Sequence, residues 1–490
     1  MSFTPTARGG DSPFEQIRQS LLQNDALPFA DALTAEQIQQ VFDAEGITFG
    51  SSDDAEDSEA ESSAQPCVVY TPAVTLWAMI SQALHTGLQR SCLAAVQRVA
   101  IYFALLDRTV SSTNTGAYCR ARAKVPEGVV QRLAEGVALR CEEAAPAEWK
   151  WHGLRTMTID GTTHSMPDTT ENQAEYPQPS SQTKGLGFPM MRAVAVTSLA
   201  TGMVVAHATG PYAGKETGET ALFRRLFPHL RRGDLIVADR YYTGWFMLAL
   251  LRTLGIHFVT RLHQHRKADF RRGKRLGKDD HLIIWAKPAK PSWLDQETYN
   301  QLPEYLEIRE LNVRVTTPGF RTRSLVVVTS LLDPETYSHQ EIATLYRRRW
   351  HIEIELRDIK TTMDLNILRR KTPEAVRQEL WTGLLTYNLV RQSILQSAMA
   401  SQTQPYQLSF AASLQMLTNT WVIASMPRSV TVDAYERLIV LRILNGHTHR
   451  VSNRPNRVEP RAVKRRPKPL ALLNELRSAA HARLRAAPKL

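Results

Sequence analysis

The sequence predicts an α/β core that carries an inserted β-rich subdomain and is flanked by helical regions on both sides. Two patterns predict it. In the middle of the chain, three short alternating runs, TMTID, RAVAVTS and GMVVAHATG, read as adjacent strands. They are followed by GETALFRRLFPHL with helical spacing, the apolar DLIVAD, a second helical run TGWFMLALLRTLG and the strand-like HFVTRL. The chain then departs through HLIIWAKP, YLEIRELNVRV and TRSLVVVTSLL before its next strongly periodic helix. That return path is too long for one loop, so it reads as an insertion.

The elements follow in order. Residues 1–50 read as an N-terminal helical segment, and 51–66 as a disordered linker, because SSDDAEDSEAESSAQP holds six acids and no base. Residues 67–150 read as a helical bundle, in which TPAVTLWAMISQALHTG and SCLAAVQRVAIYFALLDRT are apolar helices. A turn then leads into two further helical stretches, and whether these form a helix-turn-helix stays open. The core is expected over 151–262, the β-rich insertion over 263–335 and the returning helix over 336–375. A helical region over 376–446 and a basic tail over 447–490 complete the chain. The tail carries twelve Lys or Arg against two Glu.

Composition narrows the function classes. With 490 residues the chain is long enough for several domains, and 43% hydrophobic content is ordinary for a globular protein. A net charge of +12 favours polyanionic partners through counterion release, a property shared by ribosomal, nucleoid and membrane-surface proteins. Neither a signal peptide nor an apolar run of the ~18 residues a membrane span needs is visible, which predicts a cytoplasmic protein without a membrane partner. Cys67, Cys92, Cys119 and Cys141 form no C-x2-C pair, so neither a zinc site nor a disulfide framework is indicated. YAGKETG fails the G-x4-G-K-[ST] pattern, and no nucleotide triphosphate is implied.

The stretch YRRRWHIEIELRDIK, from Tyr346 to Lys360, is the most informative segment. On a continuous helix Tyr346, Arg349, Trp350, Glu353, Arg357 and Lys360 fall within an arc of about 100°. That face is polar, and a lone acid among bases and rings suits a metal ligand whose neighbours grip phosphates and stack on bases. The competing reading is a solvated face in which Glu353 pairs with Arg349 and Arg357. Two further acids bear on the choice. RTMTIDGTTH and GDLIVADRYYTGW read as strands that end in Asp160 and Asp239. Asp160–Gly161 is also a common turn pair, and Asp239 is also a plausible cap for a helix near Thr243. Asp168, in SMPDTTEN, rivals Asp160 but reads as a loop and helix-cap residue. Strand acid, strand acid, helix acid is the order a two-metal phosphoryl-transfer site requires, and hard cations such as Mg²⁺ take carboxylate oxygens.

Taken together, DGTTHSMPDTTEN, the ADR of Asp239 and Y-x2-R-x3-E-x6-K at Tyr346, Arg349, Glu353 and Lys360 resemble the DDE transposases of bacterial insertion sequences, in insertion-sequence family four. YPQPSSQTKGLGFPMMR and NRPNRVEPRAVKRRPKP are similar to members of the same family. The resemblance implies a ribonuclease-H-like core and makes Asp160, Asp239 and Glu353 the catalytic, metal-binding triad. It implies two Mg²⁺ ions per site, with Mn²⁺ expected to substitute. Tyr346, Arg349 and Lys360 become DNA contacts, joined on the same helix by Trp350 and Arg357. Further DNA contacts are expected at Arg271 and Arg272 in the basic run before the insertion strands, and at Lys464, Arg465 and Arg466 in the tail.

The resemblance also implies cut-and-paste transposition. Double-stranded DNA with terminal inverted repeats would be recognised by the 67–150 region, cut by way of a hairpin and joined to target DNA by a homodimer. An aromatic of the insertion, Trp285 or Trp293, would stack on a flipped base. Many relatives have an acid after the Asp-Arg pair, whereas Tyr241 stands there in this chain. A hydrolytic nuclease on the same fold, or a catalytically silent DNA-binding descendant, remains the alternative.

Overall fold

The computed structural model describes residues 35–46, 69–70, 72–105, 110, 112–183, 185–314, 324–424, 440–446, 448–451 and 475–486. The expected acidic linker, most of the N-terminal segment and the tail bases Lys464, Arg465 and Arg466 lie outside these residues. The chain divides into two compact units. One comprises Met1–Ala144, Asp358–Leu365 and Arg377–Val451, the other Ala145–Arg357, Asn366–Val376 and Ser452–Leu490.

The first unit is helical. Its N-terminal part holds α1 (Ala35–Ala44), α2 (Pro72–Ala83), α3 (Cys92–Ala104), α4 (Thr115–Lys124) and α5 (Glu127–Glu143). Ser91 caps α3 by accepting from the Ala94 amide at 3.1 Å, and Asn114 caps α4 through the Gly116 amide at 2.8 Å. Such side chains satisfy amide groups that a helix start leaves without an intrahelical partner.

The second unit is built on one nine-stranded sheet. In chain order its elements are β1 (Thr156–Ser165), α6 (Thr170–Glu175), β2 (Met190–Ser198), β3 (Val204–Pro211), α7 (Glu219–Arg224), β4 (Leu235–Ala238), α8 (Trp245–Thr253) and β5 (His257–Arg261). Then come β6 (Lys274–Gly277), β7 (Asp280–Ala286), α9 (Gln296–Gln301), β8 (Tyr305–Arg314), β9 (Ser324–Thr329), α10 (His339–Arg348) and α11 (Trp350–Arg357). The strand order is β3-β2-β1-β4-β5-β9-β8-β7-β6. β1, β2 and β3 form an antiparallel meander, while β1, β4 and β5 run parallel. Parallel neighbours need crossovers, and α7 and α8 supply them.

The segment read as an inserted subdomain contributes β6 to β9, and these prolong the sheet from β5 rather than forming a sheet of their own. Antiparallel pairing of β5 with β9 makes the join. Arg309 of β8 secures this part. It donates to both carboxylate oxygens of Asp280 at 2.9 and 2.6 Å and to the Tyr337 carbonyl at 2.7 Å, all with the guanidinium fully buried.

Leu235, Val237, Val259, Leu311, Val313 and Val327 on the sheet pack against Ile342, Ala343, Leu345 and Tyr346 of α10. The spacing of those four is that of one helix face, so α10 lies on the sheet along its apolar stripe. Ser338 and Glu341 start α10 with a reciprocal capping box.

The first unit resumes with most of α12 (Pro373–Ala400) and with α13 (Phe410–Ala424). Trp77 of α2 meets Tyr102 at 5.4 Å and stacks on Trp421 of α13 at 5.8 Å, and Asn388 of α12 donates to the Ala134 carbonyl at 2.9 Å. In the second unit a last helix, α14 (Arg477–Ala486), is pinned by Arg477. That residue donates to the Gly187 carbonyl at 2.9 Å, pairs with Asp168 and lies over the Phe188 ring.

Candidate active site

Asp160 and Asp239 are brought together by strand register. β1 and β4 run parallel, with Thr156, Met157 and Thr158 opposite Leu235, Ile236 and Val237. Continued by two residues, that register sets Asp160 beside Asp239 on the sheet face that carries α10. Asp239 directly follows β4 and caps the turn Arg240–Tyr242 by accepting from the Tyr241 amide at 2.8 Å. The helix expected near Thr243 starts instead at Trp245 behind Gly244, so the Asp239 cap belongs to a shorter turn.

Asp160 departs from its expected place at a strand end. β1 continues to Ser165 because β2 pairs with it along its length, including Asp160 opposite Ala195 and Gly161 opposite Val194. Tertiary pairing has overridden the local turn preference of Asp-Gly. The glycine serves a close approach: a Cβ on Gly161 would lie 2.2 Å from Cδ and 2.4 Å from Oε1 of Glu219. Glu219, the first residue of α7, was not singled out in the sequence, where an acid opening a helix reads as an ordinary dipole partner.

The electrostatics follow from this crowding. Burial pushes the Asp160 carboxyl up to about 6, aided by the like charges of Asp239 and Glu219 and opposed by the Gly161 amide and Arg349. Burial also raises Glu219, with Asp239 adding to the shift and Arg192 and the Tyr242 hydroxyl opposing it. Tyr242 is held well above the usual phenol range by burial and then by Glu219, Asp160 and Asp239.

Glu353 comes from α11, which packs on β1. Arg349 donates to its Oε1 at 2.6 Å. Arg349 is raised although its burial acts the other way, because Tyr346, Glu353 and Asp160 all favour its charge. The helix face drawn from Tyr346 to Lys360 is not continuous. α10 stops at Arg348, α11 starts at Trp350, and Asp358–Thr362 forms a π-helical turn. Each break departs from 100° steps, so the shared arc does not extend to Lys360, which belongs to the other unit. Nor is that face wholly polar. Tyr346 is 7% exposed within the core, and burial lifts its hydroxyl to about 12.

Among the described residues no three His, Cys, Asp or Glu side chains come together closely enough to hold a metal ion. The three acids stand open in this structure, with Glu353 drawn to Arg349 while Asp160 and Asp239 repel each other. The donor chemistry nonetheless fits a divalent cation, since carboxylate oxygens are what such ions take, and a cation would relieve the repulsion that adds to burial in raising Asp160.

The remaining candidates are dispersed. Trp350 is 51% exposed, and Arg357 on the same helix is exposed. Arg271 and Arg272 are exposed and pair with Asp269. Trp285 is built into the sheet at 5% exposure, with its indole N–H on Glu310 at 3.1 Å. Trp293 is half-buried, with the Arg224 guanidinium 3.8 Å over its ring. Asp168 lies one residue before the true α6 cap, Thr169, and pairs with Arg477.

Residues 151–389 match the transposase DDE domain family. The chain is 28% identical over 356 residues to the transposase InsG for insertion sequence element IS4 of Escherichia coli (strain K12), covering 72% of this chain and 76% of that protein. It is 35% identical over 66 residues, 14% of this chain and 18% of the relative, to the transposase for insertion sequence element IS421 of Escherichia coli. A cryo-EM structure of a piggyBac transposase synaptic complex with hairpin DNA matches with a TM-score of 0.41 and 9% identity, over 90% of this chain and 86% of that one. The matched span takes in Asp160, Asp239 and Glu353 together, and over it the chain is similar to the DDE transposases of insertion sequences, the IS4 transposase among them.

Proposed function

We propose that this transposase cuts and rejoins DNA at a ribonuclease-H-like centre in which Asp160, Asp239 and Glu353 hold two Mg²⁺ ions, with Mn²⁺ able to substitute. The observation that carries this reading is the parallel β1–β4 register, which sets two acids side by side under the helix that bears the third. Bound ions would supply an activated water and neutralise charge on the phosphate. The chain's own residues prepare for them. Asp160 and Asp239 each fix one oxygen on a backbone amide, which orients the carboxylates without a cation. Arg349 holds Glu353 in the resting state and, once Glu353 turns to metal, is placed to grip a phosphate oxygen. Tyr346, locked in the core, positions Arg349.

On this reading the substrate is double-stranded DNA with terminal inverted repeats, bound by the 67–150 helical region. The 3′-hydroxyl released by the first cut attacks the opposite strand to form a hairpin and displace the flanking DNA; water then reopens the hairpin, which frees the 3′-hydroxyl again for transfer to target DNA. Arg357, Lys360, Arg271 and Arg272 act as phosphate contacts, Trp350 as a stacking surface, and Trp293 as the platform for a flipped base. The working form is a homodimer on paired ends, acting in the cytoplasm at the nucleoid.

Asp160→Asn or Glu353→Gln is expected to abolish Mg²⁺-dependent cleavage of end DNA while leaving gel-shift affinity nearly unchanged, because phosphate contacts elsewhere carry binding. Full cleavage by either variant would remove that residue from the triad.

A further inference from the structure

Glu219 touches a chain neighbour of each aspartate's segment, Gly161 beside Asp160 and Tyr242 in the turn that Asp239 caps. Its carboxylate fills the space where a Cβ on Gly161 would stand, with Cδ, Oε1 and Cγ at 2.2, 2.4 and 2.7 Å from that point. It therefore rests on the backbone of the residue after Asp160. On its other side Tyr242, the last residue of the turn capped by Asp239, offers its hydroxyl to Oε2 at 3.5 Å. The position is fixed from behind, since Ala221, Leu222 and Phe223 anchor α7 in the core. A glutamate with three rotatable bonds escapes to water when nothing holds it. Burying one between two other acids is unfavourable unless positive charge compensates, and Glu219 is raised by its burial and by Asp239 although Arg192 acts against that shift.

We propose that Glu219 is a fourth carboxylate of this centre, a positioning residue that adds its charge to the field in which Asp160 and Asp239 bind a divalent cation. The proposal rests on the metal reading above and explains why the residue after Asp160 is glycine. Any larger residue would push the Glu219 carboxylate away from the strand. Because that carboxylate is the far end of a flexible side chain, it is able to swing aside without unfolding the sheet.

The test titrates the intact, DNA-free protein with Mn²⁺ and follows unbound Mn²⁺ by electron paramagnetic resonance, so that no turnover is needed. Glu219→Gln keeps shape and hydrogen bonding but removes the charge, and is expected to weaken Mn²⁺ binding about tenfold, the scale on which supporting groups around metal ligands act. Glu219→Asp should recover part of the loss. Gly161→Ala should reproduce the weakening in the parent protein and add nothing in a Glu219→Ala background, since the displaced carboxylate is already gone. Asp160→Asn is the control. If it abolishes Mn²⁺ binding while Glu219→Gln and Gly161→Ala both leave affinity within twofold of the parent, Glu219 has no part in the centre. If Asp160→Asn also binds undiminished, the metal reading fails and takes this proposal with it.

Discussion

Arg349 shapes the resting state of the candidate site, because its guanidinium bonds Glu353 and its charge is favoured by Asp160 as well. The places of Asp239 after a strand and of Glu353 on a helix were legible in the sequence, since local pattern and motif agree there. Asp160 was legible as a residue but not as a mid-strand position, because no local signal reports that β2 pairs past it. Glu219 was illegible for a related reason: only the folded sheet lays a helix-opening acid over Gly161. Another crowded residue gives a pH prediction. His207 of β3 is lowered to about 3, first by burial and then by His164, so it is neutral in the fold. Its ordinary pKa is near 6.5, so between about 6.5 and 3 the unfolded chain binds a proton that the fold refuses. Stability from this site is whole above pH 6.5 and falls as pH drops, by at most about 1.4 kcal/mol per unit. Denaturant melts from pH 7 to 4.5 should show this slope flattened in His207→Gln, and an unchanged slope would clear His207 of the effect.

At the scale of elements, the strands of the core were readable from alternation, and α10 from its apolar stripe and its Ser338 cap. The active-site helix was only partly so. Its period suggested one regular rod from Tyr346 to Lys360, but the run is interrupted at Arg349, whose own backbone stays helical, and it ends in a π-helical turn over Asp358–Thr362. Trp285 was ambiguous because an aromatic in an alternating strand serves a core or a ligand equally well. Its N–H on Glu310 and the Trp245 N–H on its carbonyl show a sheet residue. The approach to α10 depends on Arg309, which joins β8, Asp280 of β7 and the Tyr337 carbonyl. Removing one partner of a buried pair strands the other charge, so Arg309→Ala should cost about 3–5 kcal/mol. Urea denaturation measures it directly. A loss below about 1 kcal/mol would mean that water replaces the guanidinium.

For the whole molecule, charge is the dominant property. A net +12 makes two copies repel and makes DNA the natural bridge between them. At moderate salt the protein alone is expected to sediment as a monomer or weak dimer, and as a two-subunit complex once end DNA is added. Truncation after Asn445 should weaken that paired complex more than single-end binding. A tight dimer without DNA, or pairing unchanged by truncation, would refute the corresponding step. No helix among the described residues is long and apolar enough to cross a membrane. The strand order carries one more consequence, for the timing of synthesis. β9 lies beside β5 although β6, β7 and β8 are made between them, and Glu353 follows β9. A ribosome that has delivered both aspartates has still to deliver four more strands and the return through β9 before the third acid exists. On the proposed chemistry, nascent or prematurely terminated chains would carry basic surface and no ability to cut, so the element's DNA is exposed to hydrolysis only by chains made past the point where the sheet closes.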